Sequence, residues 1–220
     1  MSMTVPFWSD AEIESSLAGT IAHLQAGRAI AYPTETVYGF GGAVDVDAVE
    51  TLVALKARPP AKPFLLLIAG SEMLHRLGLN LTSAASSLAA RHWPGPLTLV
   101  LTGGEHRVPP RLRGPEGGIA VRWTSHPGLQ RLISVYGDPI TSTSANRPGV
   151  APAMTVAEIV QQWSDAIGRG VLRVLDGGKL EPSPPSTVVD CTGRQVRVIR
   201  PGAIPASLLR ESVPDLIGDQ

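Results

Sequence analysis

Cysteine is almost missing from this chain: among 220 residues there is one, Cys191. A lone thiol excludes an intrachain disulfide and fits a reducing compartment. Long apolar runs are missing too. None reaches about 18 residues, the length a membrane-spanning helix needs. The first residues, MSMTVPFWSDAEIE, lack the basic-then-apolar order of a secretory signal, so a cytoplasmic protein is expected. Excess charge of either sign is absent: Lys and Arg total 19, as do Asp and Glu. No global field draws the chain to nucleic acid or membrane, and any anion site must be local.

Common chemical signatures are absent as well. There is no G-x-x-x-x-G-K-[ST] and no G-x-G-x-x-G; the glycines of YGFGGAV (38–44) have the wrong spacing. His23, His75, His92, His106 and His126 show no metal-ligand spacing, with one another or with Cys191. No G-x-S-x-G elbow occurs. Cys191 falls in an expected strand and reads as a buried, inert thiol.

What is present is 43% hydrophobic residues, enough for a well-buried core in one domain. SDAEIESSLAGTIAHLQAG reads as a first helix capped by Ser9 or Asp10, with an Ile13, Leu17, Ile21, Leu24 stripe ending at Gly27. RAIAYP is a short strand. DVDAVETLVALKA is a second helix, with Asp47 and Glu50 at capping-box spacing. FLLLIA is a continuous apolar strand, covered on both faces. Further helices are expected over LTSAASSLAARHW, HPGLQRLISVYG and TVAEIVQQWSDAIG. Strands are expected over LTLVL, IAVRW, PITSTS, VLRVLDGG, STVVDCT and QVRVIRPG, and a short helix and tail over 207–220. Interleaved strands and helices give an α/β class with a single-domain twisted mixed sheet flanked by helices; the closing strands, with no helix between them, point to an antiparallel portion. One domain over 1–220 is expected, with its core at about 10–205.

Small polar and cationic residues gather where strands begin or end: YPTETVYGFG (32–41), KARPPAKPF (56–64), Arg122 in IAVRW, TSTSANRPG (141–149), PSPPSTVVD (182–190) and IRPG (199–202). Ligands of α/β sheets collect at such loops. Hydroxyls and backbone N–H groups can cradle phosphate or carboxylate oxygens, arginine adds a planar fork, and lysine a point charge. Each segment also has a plainer reading. STSAN could be a turn whose Ser and Asn satisfy their own backbone. KARPPAK could be a helix C-terminus whose cations complement the dipole. Arg122, in an apolar strand, calls for an anionic partner, for which a structural carboxylate would serve.

In order along the chain, AYPTETVYGFG, LKARPPAKPFLLLI, RHWPGPLTLVL, IAVRW, ITSTSANRPG, PSTVVD and VIRPG resemble the YrdC family of threonylcarbamoyl-AMP synthases. The resemblance implies a concave, positively charged cavity, and the short form of the family. It implies a nucleotidyltransferase that makes L-threonylcarbamoyl-AMP and pyrophosphate from L-threonine, bicarbonate and ATP with Mg²⁺, toward N6-threonylcarbamoyladenosine in tRNA. The partners it implies are the tRNA-modifying threonylcarbamoyl transferase complex, and contact with tRNA or double-stranded RNA, but no membrane. Carried over residue by residue, Thr36, Arg122, Ser142 and Ser186 match positions that hold threonine. Arg58, Lys62, Ser144 and Arg200 match positions that hold ATP and its phosphates, with Lys56 and Asn146 in the same motifs. Lys56 and Arg58 are the expected charge-stabilising pair, and no protein ligand for a metal is identified. Leu67 stands where many relatives have a threonine-touching histidine. The alternative is a double-stranded RNA or tRNA-binding module without turnover, against which stand the zero net charge and the lack of an aromatic-basic stacking motif.

Overall fold

The computed structural model describes residues 2–57 and 63–218. The assignments made to Arg58 and Lys62 lie outside the described residues. In chain order the elements are β1 (Thr4–Pro6), α1 (Asp10–Gln25), β2 (Ala29–Tyr32), β3 (Gly39–Gly41), α2 (Val46–Lys56), β4 (Leu65–Ile68), α3 (Glu72–Leu77), β5 (Leu79–Asn80), α4 (Ser83–His92) and β6 (Leu97–Gly103). Then follow β7 (Ile119–Trp123), α5 (Pro127–Tyr136), β8 (Ile140–Ser144), α6 (Val156–Gly168), β9 (Leu172–Asp176), β10 (Thr187–Asp190), β11 (Arg197–Arg200) and α7 (Ala206–Arg210).

Ten strands lie side by side in the order β1-β9-β2-β3-β8-β4-β7-β6-β10-β11, and β5 pairs with β6 off that path. The sheet is mixed, as expected. β1–β9, β2–β9, β4–β7 and β6–β10 are parallel, whereas β2–β3, β3–β8, β4–β8, β6–β7 and β10–β11 are antiparallel. The closing hairpin-like pair β10–β11 supplies the antiparallel portion that the lack of an intervening helix implied. Among the described residues no helix is long and apolar enough to cross a membrane.

Local chemistry explains the helix starts. Ser9 caps α1 in a full capping box: its hydroxyl accepts from Glu12 N, and its own N–H donates to Glu12 Oε2 at 2.9 Å. The cap of α2 is two residues earlier than the Asp47–Glu50 spacing suggests. Asp45, in extended conformation, accepts from Ala48 N at 2.8 Å, and Asp47 lies in the first turn, where its charge suits the positive end of the helix. Elements that the pattern did not indicate are short: β1, β5 and α3, and β3, whose GFG has little intrinsic strand preference.

β3 shows what those glycines do. The buried ring of Tyr32 lies across it, and a Cβ built on Gly39 would meet that ring at 2.9 Å. One built on Gly41 would run into the Thr141 carbonyl. The glycines of YGFGG thus serve close packing within the sheet. Cys191 is buried, and burial together with the nearby Asp190 charge pushes its thiol up to about 12, as an inert core cysteine requires.

Candidate active site

One row across the sheet sets the geometry. Pairing of β4 with β7 puts Leu67 beside Arg122. The β6–β7 register, which sets Leu99 opposite Val121, continues to place Thr98 opposite Arg122. Thr98 then pairs with Val188, and Val188 with Arg200. Paired residues share a face. Arg122, Thr98, Val188 and Arg200 therefore stand in line on one side of four adjacent strands, and all four line a cavity of about 320 Å³. Three strand spacings separate the two arginine backbones by about 14 Å, a gap that two long side chains narrow. In the row beside it, Ser142, Leu65 and Ala120 continue the floor.

Loops close the cavity. Thr34 folds residues 34–37 into a tight turn: its Oγ1 donates to Val37 O at 2.7 Å and accepts from the N–H groups of Thr36 and Val37. Thr34 and Thr36, with hydroxyls 3.0 Å apart, face the cavity. At the far end Ser186 is a hub. Its Oγ lies 2.8 Å from Thr98 Oγ1 and accepts from Arg200 Nη2 at 3.0 Å, and its carbonyl accepts from Arg200 Nη2 and Nε at 2.8 and 3.2 Å. Burial of the guanidinium end, then the Arg122 charge, lowers the pKa of Arg200. The two cations feel each other across a space with no carboxylate among its described lining residues.

Six of the residues expected from the sequence meet here: Thr36, Arg122, Ser142, Ser144, Ser186 and Arg200. Lys56 and Asn146 stand behind Ser144 instead of on the lining. Lys56 is 5% exposed, and its Nζ donates to Ser144 O and Asn146 O, both at 2.6 Å, and to Asn146 Oδ1 at 2.8 Å. Ser144 Oγ donates to the same Oδ1 at 2.6 Å. The turn reading of STSAN and the helix-end reading of Lys56 thus merge: the last residue of α2 fastens the loop after β8. Leu67 is buried beside Arg122, on the cavity-facing side of β4 shared with Leu65.

Sequence reasoning missed Glu35, Thr34 and Thr98. Glu35 is the carboxylate that Arg122 requires: Arg122 Nε donates to Oε1 at 3.1 Å and Nη2 lies 2.5 Å from the same oxygen. The signal was available, an acid in P-T-E-T and an arginine needing an anion, but only the fold brings them together. Thr98 is the polar alternate of LTLVL, whose flanking leucines face the other side.

Among the described residues no three of His, Cys, Asp and Glu gather to hold a metal ion. Burial keeps His23, His92 and His126 below the usual histidine value, so none is poised as a cation at neutral pH. The cavity offers hydroxyls, a backbone turn and two guanidiniums. That set can bind and orient anions without supplying a nucleophile.

The chain matches known proteins over most of its length. The Sua5/YciO/YrdC family model, which bears the description telomere recombination, matches residues 22–202. A threonylcarbamoyl-AMP synthase of Marinobacter nauticus is 39% identical over 174 residues, 78% of this chain and 90% of that protein. One from Yersinia enterocolitica is 38% identical over 190 residues, 84% of this chain and 97% of that protein. A crystal structure of Pyrococcus abyssi Sua5 complexed with L-threonine superposes with a TM-score of 0.88 at 29% identity, covering 97% of this chain. This chain spans 62% of that longer protein. Escherichia coli YciO superposes with a TM-score of 0.79 at 27% identity, covering 92% and 96% of the two chains.

Proposed function

The chain belongs to the Sua5/YciO/YrdC family, and from that membership we propose that it is an L-threonylcarbamoyl-AMP synthase. It joins L-threonine, bicarbonate and ATP, releases pyrophosphate, and serves N6-threonylcarbamoyladenosine formation in tRNA. The observation that carries this reading is the cavity itself: two guanidiniums and a rim of hydroxyls, with no cysteine, histidine or carboxylate among its described lining residues.

The chemistry fits that inventory. The threonine amine attacks the carbon of CO2, giving a carbamate and a released proton; starting from bicarbonate, the same carbamate forms with loss of water. A carbamate oxygen then attacks the α-phosphorus. The bond from that phosphorus to the oxygen bridging the β-phosphate breaks, and its electron pair leaves with pyrophosphate. Both partners are anions, so the protein must position them and offset repulsion. At about 4 Å each pair of unit charges repels by about 1 kcal/mol in water, and by several times more in a drier site. Arg122 pairs with the threonine carboxylate, and Thr36, Ser142 and Ser186 hold the rest of the amino acid. Arg200 and Ser144 face the phosphates, and Arg58 and Lys62 add their charge from the segment that follows Lys56. Lys56 and Asn146 act by fixing Ser144. Mg²⁺ enters on ATP, as part of the substrate. The adenylate passes to the threonylcarbamoyl transferase complex that modifies tRNA, in the cytoplasm.

The test is incubation with Mg–ATP, L-threonine and bicarbonate, followed by mass detection of threonylcarbamoyl-AMP. The adenylate and pyrophosphate should both appear and both vanish when threonine is omitted. Tight RNA binding without either product would overturn the reading.

A further inference from the structure

Glu35 is the acid between the two cavity-lining threonines, and it does not line the cavity itself. Its two oxygens are used differently. Oε1 faces Arg122, accepting from Nε at 3.1 Å with Nη2 at 2.5 Å. Oε2 is turned away and accepts from Thr124 Oγ1 at 2.9 Å. Thr124 is held in turn, its hydroxyl accepting from His126 N and its carbonyl accepting from Gln130 Nε2 at the start of α5. A carboxylate and a guanidinium left to themselves form a two-oxygen fork. Here Thr124 withholds one oxygen, and the grip on Arg122 is by one oxygen alone.

The consequence appears at Nη2. Despite its closeness to Oε1, this buried nitrogen lacks the alignment of a hydrogen bond and has no hydrogen-bond partner among the described residues. A buried guanidinium N–H left in that condition is costly, and only the ion pair with Oε1 offsets it. Arg122 is 5% exposed and reaches the cavity, so a ligand oxygen arriving from there would find its charge partly balanced and its fork incomplete.

We propose that Glu35 is a positioning residue that sets the selectivity of the site for a substrate carboxylate: its one-oxygen grip fixes the Arg122 guanidinium at the cavity wall. This rests on the synthase reading given above. Burial opposes ionisation of Glu35, but the Arg122 charge and the hydrogen bonds from Arg122 and Thr124 outweigh it and hold the pKa below the ordinary value, so the grip is ionic at neutral pH. The threonine turn aims the side chain at β7, and Thr124 keeps it there. Neither Glu35 nor Thr124 lines the cavity.

The test compares L-threonine with L-threoninamide, which lacks the carboxylate charge, in wild type, Glu35→Ala and Glu35→Gln. Wild type should prefer threonine strongly in KM. Glu35→Ala should raise the threonine KM at least tenfold, leave the ATP KM within about twofold, and shrink the threonine-to-threoninamide preference by about the same tenfold. Glu35→Gln keeps the shape and an oxygen for Nε, so it covers the case in which the alanine variant does not fold. It should shrink the preference severalfold. A general loss of structure would raise both KM values and leave the preference intact. Variants that keep the wild-type preference, or that lose threonine and ATP affinity alike, would overturn the proposal. A wild-type protein that forms no adenylate would instead refute the synthase reading.

Discussion

Lys56 and Asn146 are joined twice, through the Asn146 carbonyl oxygen at 2.6 Å and through Oδ1 at 2.8 Å, and the same ammonium also holds the Ser144 carbonyl at 2.6 Å. A helix end and a strand end are thereby tied at one point. The charge stabilises the backbone that presents Ser144 to the cavity. It also fixes the C-terminal end of α2.

Lys56→Met should therefore damage both stability and ATP use. It removes three hydrogen bonds from a charged donor to part-buried acceptors, each worth about 1.5–3 kcal/mol. Melting should fall by several degrees, and the ATP KM should rise more than the threonine KM. Lys56→Arg should restore little, because a planar guanidinium cannot converge on three acceptors as an ammonium does. Thermal unfolding and steady-state kinetics decide it. An arginine variant with wild-type melting and ATP KM would show that charge alone matters.

Ser186→Ala separates the two halves of the cavity. The hydroxyl links Thr98 to Arg200, but Arg200 also holds the Ser186 carbonyl through two bonds that alanine preserves. Arg200 should stay in place, so threonine affinity should drop about tenfold and ATP affinity no more than about threefold. Calorimetric titration of each substrate measures the split. Equal losses would place Ser186 with the phosphates.

Gly41→Ala tests the packing of β3. A Cβ there would run into the Thr141 carbonyl and lie 2.8 Å from the Tyr32 hydroxyl, in the middle of a sheet with no room to yield. Overpacking of this kind costs about 3 kcal/mol, which for a chain of this size lowers the melting temperature by roughly 10 °C. Differential scanning calorimetry would show it. An unchanged melting temperature would mean that β2 and β8 can part at this point.

Much of this was legible in the sequence because it follows from local rules. The cap at Ser9 or Asp10, the continuous apolar FLLLI and the stop at Gly137 each state their element within a few residues. The site was legible as a set of strand-end segments, since hydroxyls and cations there have few structural reasons to cluster. Which of them touch was not. The row of Arg122, Thr98, Val188 and Arg200 depends on β6 pairing with β10, four strands on in the chain, which joins the β6–β7 pair to the β10–β11 pair. The inward turn of Lys56 depends on a loop 90 residues away. Glu35 was hidden for the same reason: its partner is 87 residues downstream. Long-range register decides these contacts, and no window of the sequence contains it.

Acid should loosen the fold at a pH well above the carboxylate range. His23, buried in the last turn of α1, has its Nε2 2.9 Å from the Ala29 carbonyl, which fixes that nitrogen as the protonated one. Burial, with the charges of Arg28 and Arg173 adding to it, outweighs that hydrogen bond and holds its pKa below 6.5. His92 and His126 are held below the ordinary value too, burial again first. A group depressed in the folded state binds its proton more readily when unfolded. The stability that its neutral form contributes is complete above about 6.5, the unfolded value, and is lost as pH falls from there toward the lower folded value. Melting temperature should accordingly decline between about pH 7 and pH 5. His23→Gln keeps a donor for Ala29 and cannot protonate, so its decline over that interval should be shallower. A parallel decline in wild type and variant would assign the loss to His92 and His126 alone.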